Sequence, residues 1–178
     1  MTVLSPYNRA MTEREKAYGE LIRTAGHRGT LGTYLELDGD IAVIFSGGGA
    51  SLVAFDALIA AGGKPANYVE MSGNPDPESV RLASKIVLSK PGIKALWIAG
   101  SFANFTDIEA TISAMLNAVD EQAPNIPIVI RRDGPNAQAA QEEAARWSIT
   151  HGQIIRFDRA DVDFDTSARS VIEVSRRV

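Results

Sequence analysis

Four short stretches of this 178-residue chain concentrate the groups that can hold an anion: SGGGAS at 46–51, EMSGNP at 70–75, GSFANFT at 100–106 and RRDGPN at 131–136. In the first, consecutive glycines let the backbone approach a ligand closely, and their N–H groups open a helix whose positive end favours negative charge. The same stretch also fits a tight turn with nothing bound. In the third, Asn104 and Thr106 offer polar groups to a bound oxygen beside the exposed amides of another helix start. Thr106 alternatively does no more than cap that helix. Arg131 and Arg132 supply the planar fork that grips a carboxylate through two parallel bonds. These devices together point to a carboxylate or phosphate pocket.

Other chemistries are excluded by what is missing. Cysteine is absent, which removes disulfides, thiol nucleophiles and cysteine metal sites. His27 and His151 have no ligand-spaced neighbours, so a zinc site is not expected. No Ser-His-Asp set is visible either. The SGGGAS turn is not a Walker phosphate loop, because no lysine follows it. A dinucleotide fingerprint fails at its third glycine position, occupied here by Leu52, where close helix–strand packing needs a tiny residue. Glu70 is the only acid ending an expected core strand. Asp107, just inside a helix, reads as a partner for the helix dipole. A phosphoreceiver site would need acids where this chain has Phe45-Ser46 and Ala99-Gly100.

The elements that place these stretches alternate regularly. Thr12 and Glu15 form a capping box that starts a helix over 12–25. Residues 34–37 alternate like a strand, and Asp38-Gly39 signals a hairpin turn into the apolar strand 41–45. Helices are expected over 50–61, 78–89, 106–121, 135–147 and 166–174, interleaved with strands over 66–70, 93–99, 126–130 and 153–157. Such alternation implies right-handed βαβ crossovers and a parallel sheet between helix layers. In an open parallel sheet, ligands bind beyond the carboxyl ends of the strands, where the four stretches fall. The expected organisation is an N-terminal helical extension over 1–33 and an α/β domain over 34–178.

Composition fits this picture: 45% apolar, 22% charged and a net charge of −4, with mean hydropathy −0.05 and pI about 5.2. Nothing there points to nucleic acid or an anionic membrane as partner. No apolar run approaches the roughly 18 residues of a membrane span. Residues 1–9 lack a basic segment followed by an apolar core, so cytoplasm is the default expectation.

Taken in order, the motifs resemble the CoA-ligase (flavodoxin-like) domain that ends the β subunit of succinyl-CoA synthetases, and its counterpart in ATP-citrate lyase and citryl-CoA synthetase. YLELDGDI at 34–41, GGKPAN at 62–67 and IVLSKP at 86–91 look like the synthetase pattern. SGGGAS, GSFANFT and RRDGPN look closer to the citrate-handling branch. The resemblance implies a flavodoxin-like three-layer sandwich with a five-stranded parallel sheet, plus the N-terminal helix and hairpin. It further implies that Gly48, Gly49 and Ala50 offer backbone contacts to an acid, that Asn104, Phe105 and Thr106 line it, and that Arg132 pairs with a carboxylate. Asp133 stands where the citrate branch carries glycine, adding negative charge beside the arginines.

By the same resemblance, the ligand is a small di- or tricarboxylate of the citrate or succinate type. ATP, Mg and CoA would be used by a complete assembly. Partners would be a phosphohistidine- and CoA-binding subunit and an ATP-grasp domain or subunit, and no cofactor is expected on this chain. Neither histidine matches the phosphohistidine motif. The alternative is a stand-alone interaction or regulatory module of the same fold, without catalysis, and a fragment of a longer β subunit is a third reading.

Overall fold

The apolar run that follows Asp40 forms the central strand of a six-stranded sheet in the computed structural model, which describes residues 9–25, 29–122 and 125–177. The expectation for His27 lies outside the described residues. In chain order the elements are α1 (Glu13–Thr24), β1 (Thr30–Leu31), β2 (Leu35–Glu36), β3 (Ile41–Ser46), α2 (Gly48–Ala60), β4 (Asn67–Tyr68) and β5 (Glu70–Ser72). There follow α3 (Pro77–Leu88), β6 (Ala95–Phe102), α4 (Ile108–Gln122), β7 (Ile128–Asp133), α5 (Ala137–His151), β8 (Ile155–Asp158) and α6 (Phe164–Ser175). The sheet order is β1-β5-β3-β6-β7-β8. The five strands from β5 to β8 run parallel, and the two-residue β1 adds an antiparallel edge.

The central strands β3, β6 and β7 are apolar on both faces along most of their length because helices cover both. Ala42, Ile44, Leu96, Ile98, Ile128 and Ile130 pack beneath α1, α3, α4 and α5. Ile41, Val43, Phe45, Trp97 and Val129 pack beneath α2 and α6. Trp97 is fully buried and donates its indole N–H to Ser167 of α6 at 3.0 Å. This is the expected three-layer sandwich, with β3 leading to β5 on one side and β6 on the other. That reversal creates a crevice at the strands' carboxyl ends.

Two local expectations are corrected. No hairpin forms across Asp38-Gly39: β2 pairs antiparallel with β4 in a separate two-stranded sheet. Gly39 is not among the positive-φ glycines, as the expected turn would require. It serves close approach instead, since a Cβ there would lie 2.1 Å from the Lys64 carbonyl oxygen. The expected strand 66–70 is split, because the Asn67 side chain takes over part of the ladder. Its amide accepts from Val43 N at 3.0 Å and donates to Val43 O at 2.8 Å. The chain then rejoins the main sheet at Glu70 and continues to Ser72.

Helix α1 begins as expected, with the Thr12–Glu15 capping box complete. Its Tyr18 is buried in the core and stacks on Tyr34 at 5.5 Å between ring centroids. Arg14 clasps Glu36 of β2 through two hydrogen bonds of 2.6 and 3.0 Å.

Candidate functional site

The crevice holds a cavity of about 190 Å³, walled by Ser46 from β3, Gly47 at the cap of α2, Ser101 from β6, Asn104 to Thr106 from the following loop, and Arg132 from β7. Met71 and Met115 give it an apolar lining. Arg132 owes its position to a bulge. Ala99 pairs with Arg131 and Phe102 with Asp133, so Gly100 and Ser101 together face the single residue Arg132. A bulge of this kind bends the strand and re-aims a side chain. Gly100 makes the room, since a Cβ there would lie 2.1 Å from Arg132 Nη1.

Arg132 is 3% exposed and has no carboxylate partner among the described residues. Its guanidinium makes one hydrogen bond to the described residues, a long 3.5 Å contact from Nη1 to the Ser101 carbonyl, against five N–H donors in the group. Burial, with the neighbouring charge of Arg131 added, pushes its pKa down to about 10. The group is therefore still cationic at neutral pH. A buried cation short of partners is costly unless an anion joins it.

Arg131 does a different job. Successive residues of a strand point to opposite faces, and Arg131 turns toward α6. There it donates to the carbonyls of Gly100 at 2.6 Å, Val162 at 2.7 Å and Ala160 at 3.2 Å. Its guanidinium also lies over the Phe164 ring at 4.3 Å. The paired-arginine expectation is thus corrected to one arginine in the cavity and one fastening the 158–164 loop. Asp133 shares the Arg131 face. It accepts from Arg159 at 2.7 Å, Ala160 N at 3.1 Å and Gly134 N at 2.9 Å. The Arg159 hydrogen bond holds its carboxyl below the usual range despite some burial. Its charge is therefore answered locally and does not line the cavity.

Gly48, Gly49 and Ala50 form the first turn of α2, immediately after the wall residue Gly47. None of the three lines the cavity itself. Gly47 has φ 90° and no side chain to cap the helix, so the N–H groups of residues 48–50 keep the unpaired state of a helix start. A Cβ on Gly47 would also meet Ser101 Oγ at 2.9 Å. Asn104, Phe105 and Thr106 do come together on the opposite wall. Thr106 neither caps α4 nor keeps its proton free, because its hydroxyl donates to the Gly73 carbonyl at 2.5 Å. The cap is Asp107, which accepts from Ala110 N at 3.1 Å. Phe105 is 69% exposed.

Ser46, Gly47, Met71 and Ser101 lie inside the stretches picked out from the sequence but carried no individual role there, and Met115 of α4 lies outside all four. Ser46 and Ser101 had a usable signal, being polar residues at the ends of apolar strands. Glu70 faces away from the cavity, toward Tyr18, and burial raises its pKa. His151 of α5 stacks on Trp147 near Asp120 of α4, and it does not line the cavity. Among the described residues no group of three His, Asp or Glu could hold a metal ion.

The strand order and the arginine-bearing cavity at the switch point define a flavodoxin-like α/β domain. The chain belongs to the ATP citrate lyase citrate-binding family, which matches residues 9–158. It is 34% identical over 145 residues to the β subunit of ADP-forming succinate–CoA ligase from Desulfurococcus amylolyticus, covering 82% of this chain and 36% of that one. The corresponding subunit of Persephonella marina is 32% identical over 116 residues, 65% of this chain and 30% of that one. Among solved structures, ATP citrate lyase from Methanothrix soehngenii, in complex with citrate and coenzyme A, superposes with a TM-score of 0.84 at 26% identity. That match covers 97% of this chain and 49% of the lyase chain. The Methanosaeta concilii enzyme, in complex with (3S)-citryl-CoA, gives 0.82 at 26% identity, covering 97% of this chain and 46% of that one. The chain thus spans about a third of the curated relatives and about half of the lyases.

Proposed function

We propose that this domain binds a small di- or tricarboxylate of the citrate or succinate type for an ADP-forming acyl-CoA ligase. The observation that carries the reading is Arg132, a buried guanidinium without an acidic partner among the described residues, facing a cavity beside a helix start. One carboxylate of the acid takes the Arg132 fork, and a second takes the unpaired N–H groups of Gly48, Gly49 and Ala50. Asn104 and the 104–106 backbone complete the site. These groups supply fixed positive potential where an acyl phosphate would develop negative charge, and the domain contributes no acid, base or nucleophile. The family match and the lyase superposition support the acid class.

In this reading the reaction runs through ATP, phosphohistidine, acyl phosphate and acyl-CoA only in a complete assembly. An ATP-grasp unit and a phosphohistidine- and CoA-binding unit handle ATP, Mg and CoA. Leu52, Val53 and Ile59 leave an exposed apolar face on α2 that such an assembly would cover. Among the described residues no helix is long and apolar enough to cross a membrane.

Calorimetric titration of the purified chain with citrate, succinate and malate tests the reading. Saturable binding of at least one acid, lost in Arg132→Ala, is expected. An Arg132→Ala protein that binds the best acid as tightly as the parent would remove the proposed role.

A further inference from the structure

Asn136 is the one non-glycine residue with positive φ among the described residues, at φ 59° and ψ 16°. It occupies the cap position of α5, where asparagine ordinarily accepts from a backbone N–H of the first turn. Here it makes no such bond. Its Nδ2 instead donates to Asp107 Oδ2 at 3.0 Å. Glycine would fit the left-handed backbone more freely, and the side chain does nothing for its own helix. What the side chain does is reach the cap of α4.

That contact is part of a clamp. Ala103 N donates to Asp133 O at 2.9 Å, and Ile108 N donates to Pro135 O at 3.0 Å. Asp107 N donates to Asn74 Oδ1 at 3.1 Å. Asp107 Oδ1 meanwhile caps α4, so the one carboxylate serves the helix and Asn136 together. The segment 104–106 hangs between these fastenings. Asn104 and Phe105 make no hydrogen bond of their own to the described residues, which leaves both available to whatever occupies the cavity.

We infer that Asn136 is a positioning residue: through Asp107 it fixes the 104–106 segment in the geometry that meets the bound acid. The acid in that statement rests on the proposed function above, whereas the fastening of the segment does not. The distinction makes the two separately testable.

The test compares the full chain with Asn136→Gly, which accepts the left-handed backbone and loses only the amide. Amide hydrogen exchange is read at Ala103, Asp107 and Ile108, and citrate affinity is read by calorimetry. Losing one solvent-accessible hydrogen bond should speed exchange at these three amides about 2- to 10-fold and weaken citrate binding by a similar factor. The melting temperature should be unchanged or higher, with exchange inside α5 unaltered. Asn136→Asp, which also tolerates this backbone but sets a carboxylate against Asp107, should give the same pattern more strongly. Unchanged exchange at the three amides in both variants overturns the inference. So does faster exchange spread evenly over the chain with a lowered melting temperature, which marks a merely structural role. If the parent binds no acid yet Asn136→Gly still loosens these three amides, the fastening stands and the acid-binding reading falls.

Discussion

Replacing Arg132 with methionine should make the unliganded domain more stable while abolishing its response to citrate. The depression of the Arg132 pKa from the ordinary arginine value to about 10 corresponds to about 3 kcal/mol against burying the charged form. Water entering the cavity returns part of this, so about 1–2 kcal/mol is the gain to expect from methionine, which keeps the unbranched stem. For a chain of this length each kcal/mol moves the melting temperature by about 2–4 °C, giving a rise of roughly 2–8 °C. The sign with pH is fixed. A cation whose folded pKa is lowered carries its burial cost at every pH below about 10, and sheds it only as pH climbs from there toward the ordinary arginine value. Thermal unfolding at pH 7–8 therefore sees the full effect. Added citrate should raise the melting temperature of the parent by mass action. Losing two charge-assisted bonds, each of about 1.5–3 kcal/mol, should erase that shift in the variant. A methionine variant that melts below the parent and keeps the citrate shift would refute the reasoning.

Three further outcomes follow from the remaining geometry. Arg131→Ala strips the guanidinium from the carbonyls of Gly100, Ala160 and Val162 and should cost about 2–4 kcal/mol, measured by urea unfolding. The Arg14 hydrogen bonds hold the Glu36 carboxyl below its usual range, so its stabilisation is present above about pH 4.5 and lost on acidification. Melting temperatures from pH 5 to 3 should accordingly fall more steeply for the parent than for Glu36→Gln. Glu70 runs the other way, because burial raises its pKa and its ionisation opposes folding at neutral pH. Glu70→Gln should melt higher at pH 7, with the difference shrinking toward pH 4; a lower melting temperature at pH 7 would contradict this.

The fold was legible because the central strands are dense apolar runs closed by glycine, as at 41–49 and 95–100. Such runs allow little besides a sheet covered on both faces. The missing strand β1 has only two residues, too few for any period to register. The expected hairpin failed because Asp-Gly signals a turn only if glycine takes positive φ, whereas Gly39 is there to let Lys64 and Pro65 approach. Asn67 looked like an ordinary strand residue, and nothing local announces that its amide will stand in for a backbone.

At the site, the chain positions of the anion-holding stretches were readable, but their division of labour was not. Strand alternation alone separates Arg131 from Arg132. Which of them enters the cavity depends on the bulge at Gly100 and Ser101, a tertiary feature. Thr106 and Asp107 are both sound cap residues, and the choice between them was made by Gly73, whose carbonyl accepts the threonine hydroxyl's hydrogen bond. Met71 and Met115 line the cavity from different elements, a convergence that no spacing in the chain encodes.

The most direct measurement is a crystal structure of the chain grown with saturating citrate. The proposed chemistry requires a citrate carboxylate on the Arg132 guanidinium, with further oxygens at the amides of Gly48 to Ala50 and at Asn104. Citrate lodged elsewhere, with the Arg132 cavity holding only water, would contradict it.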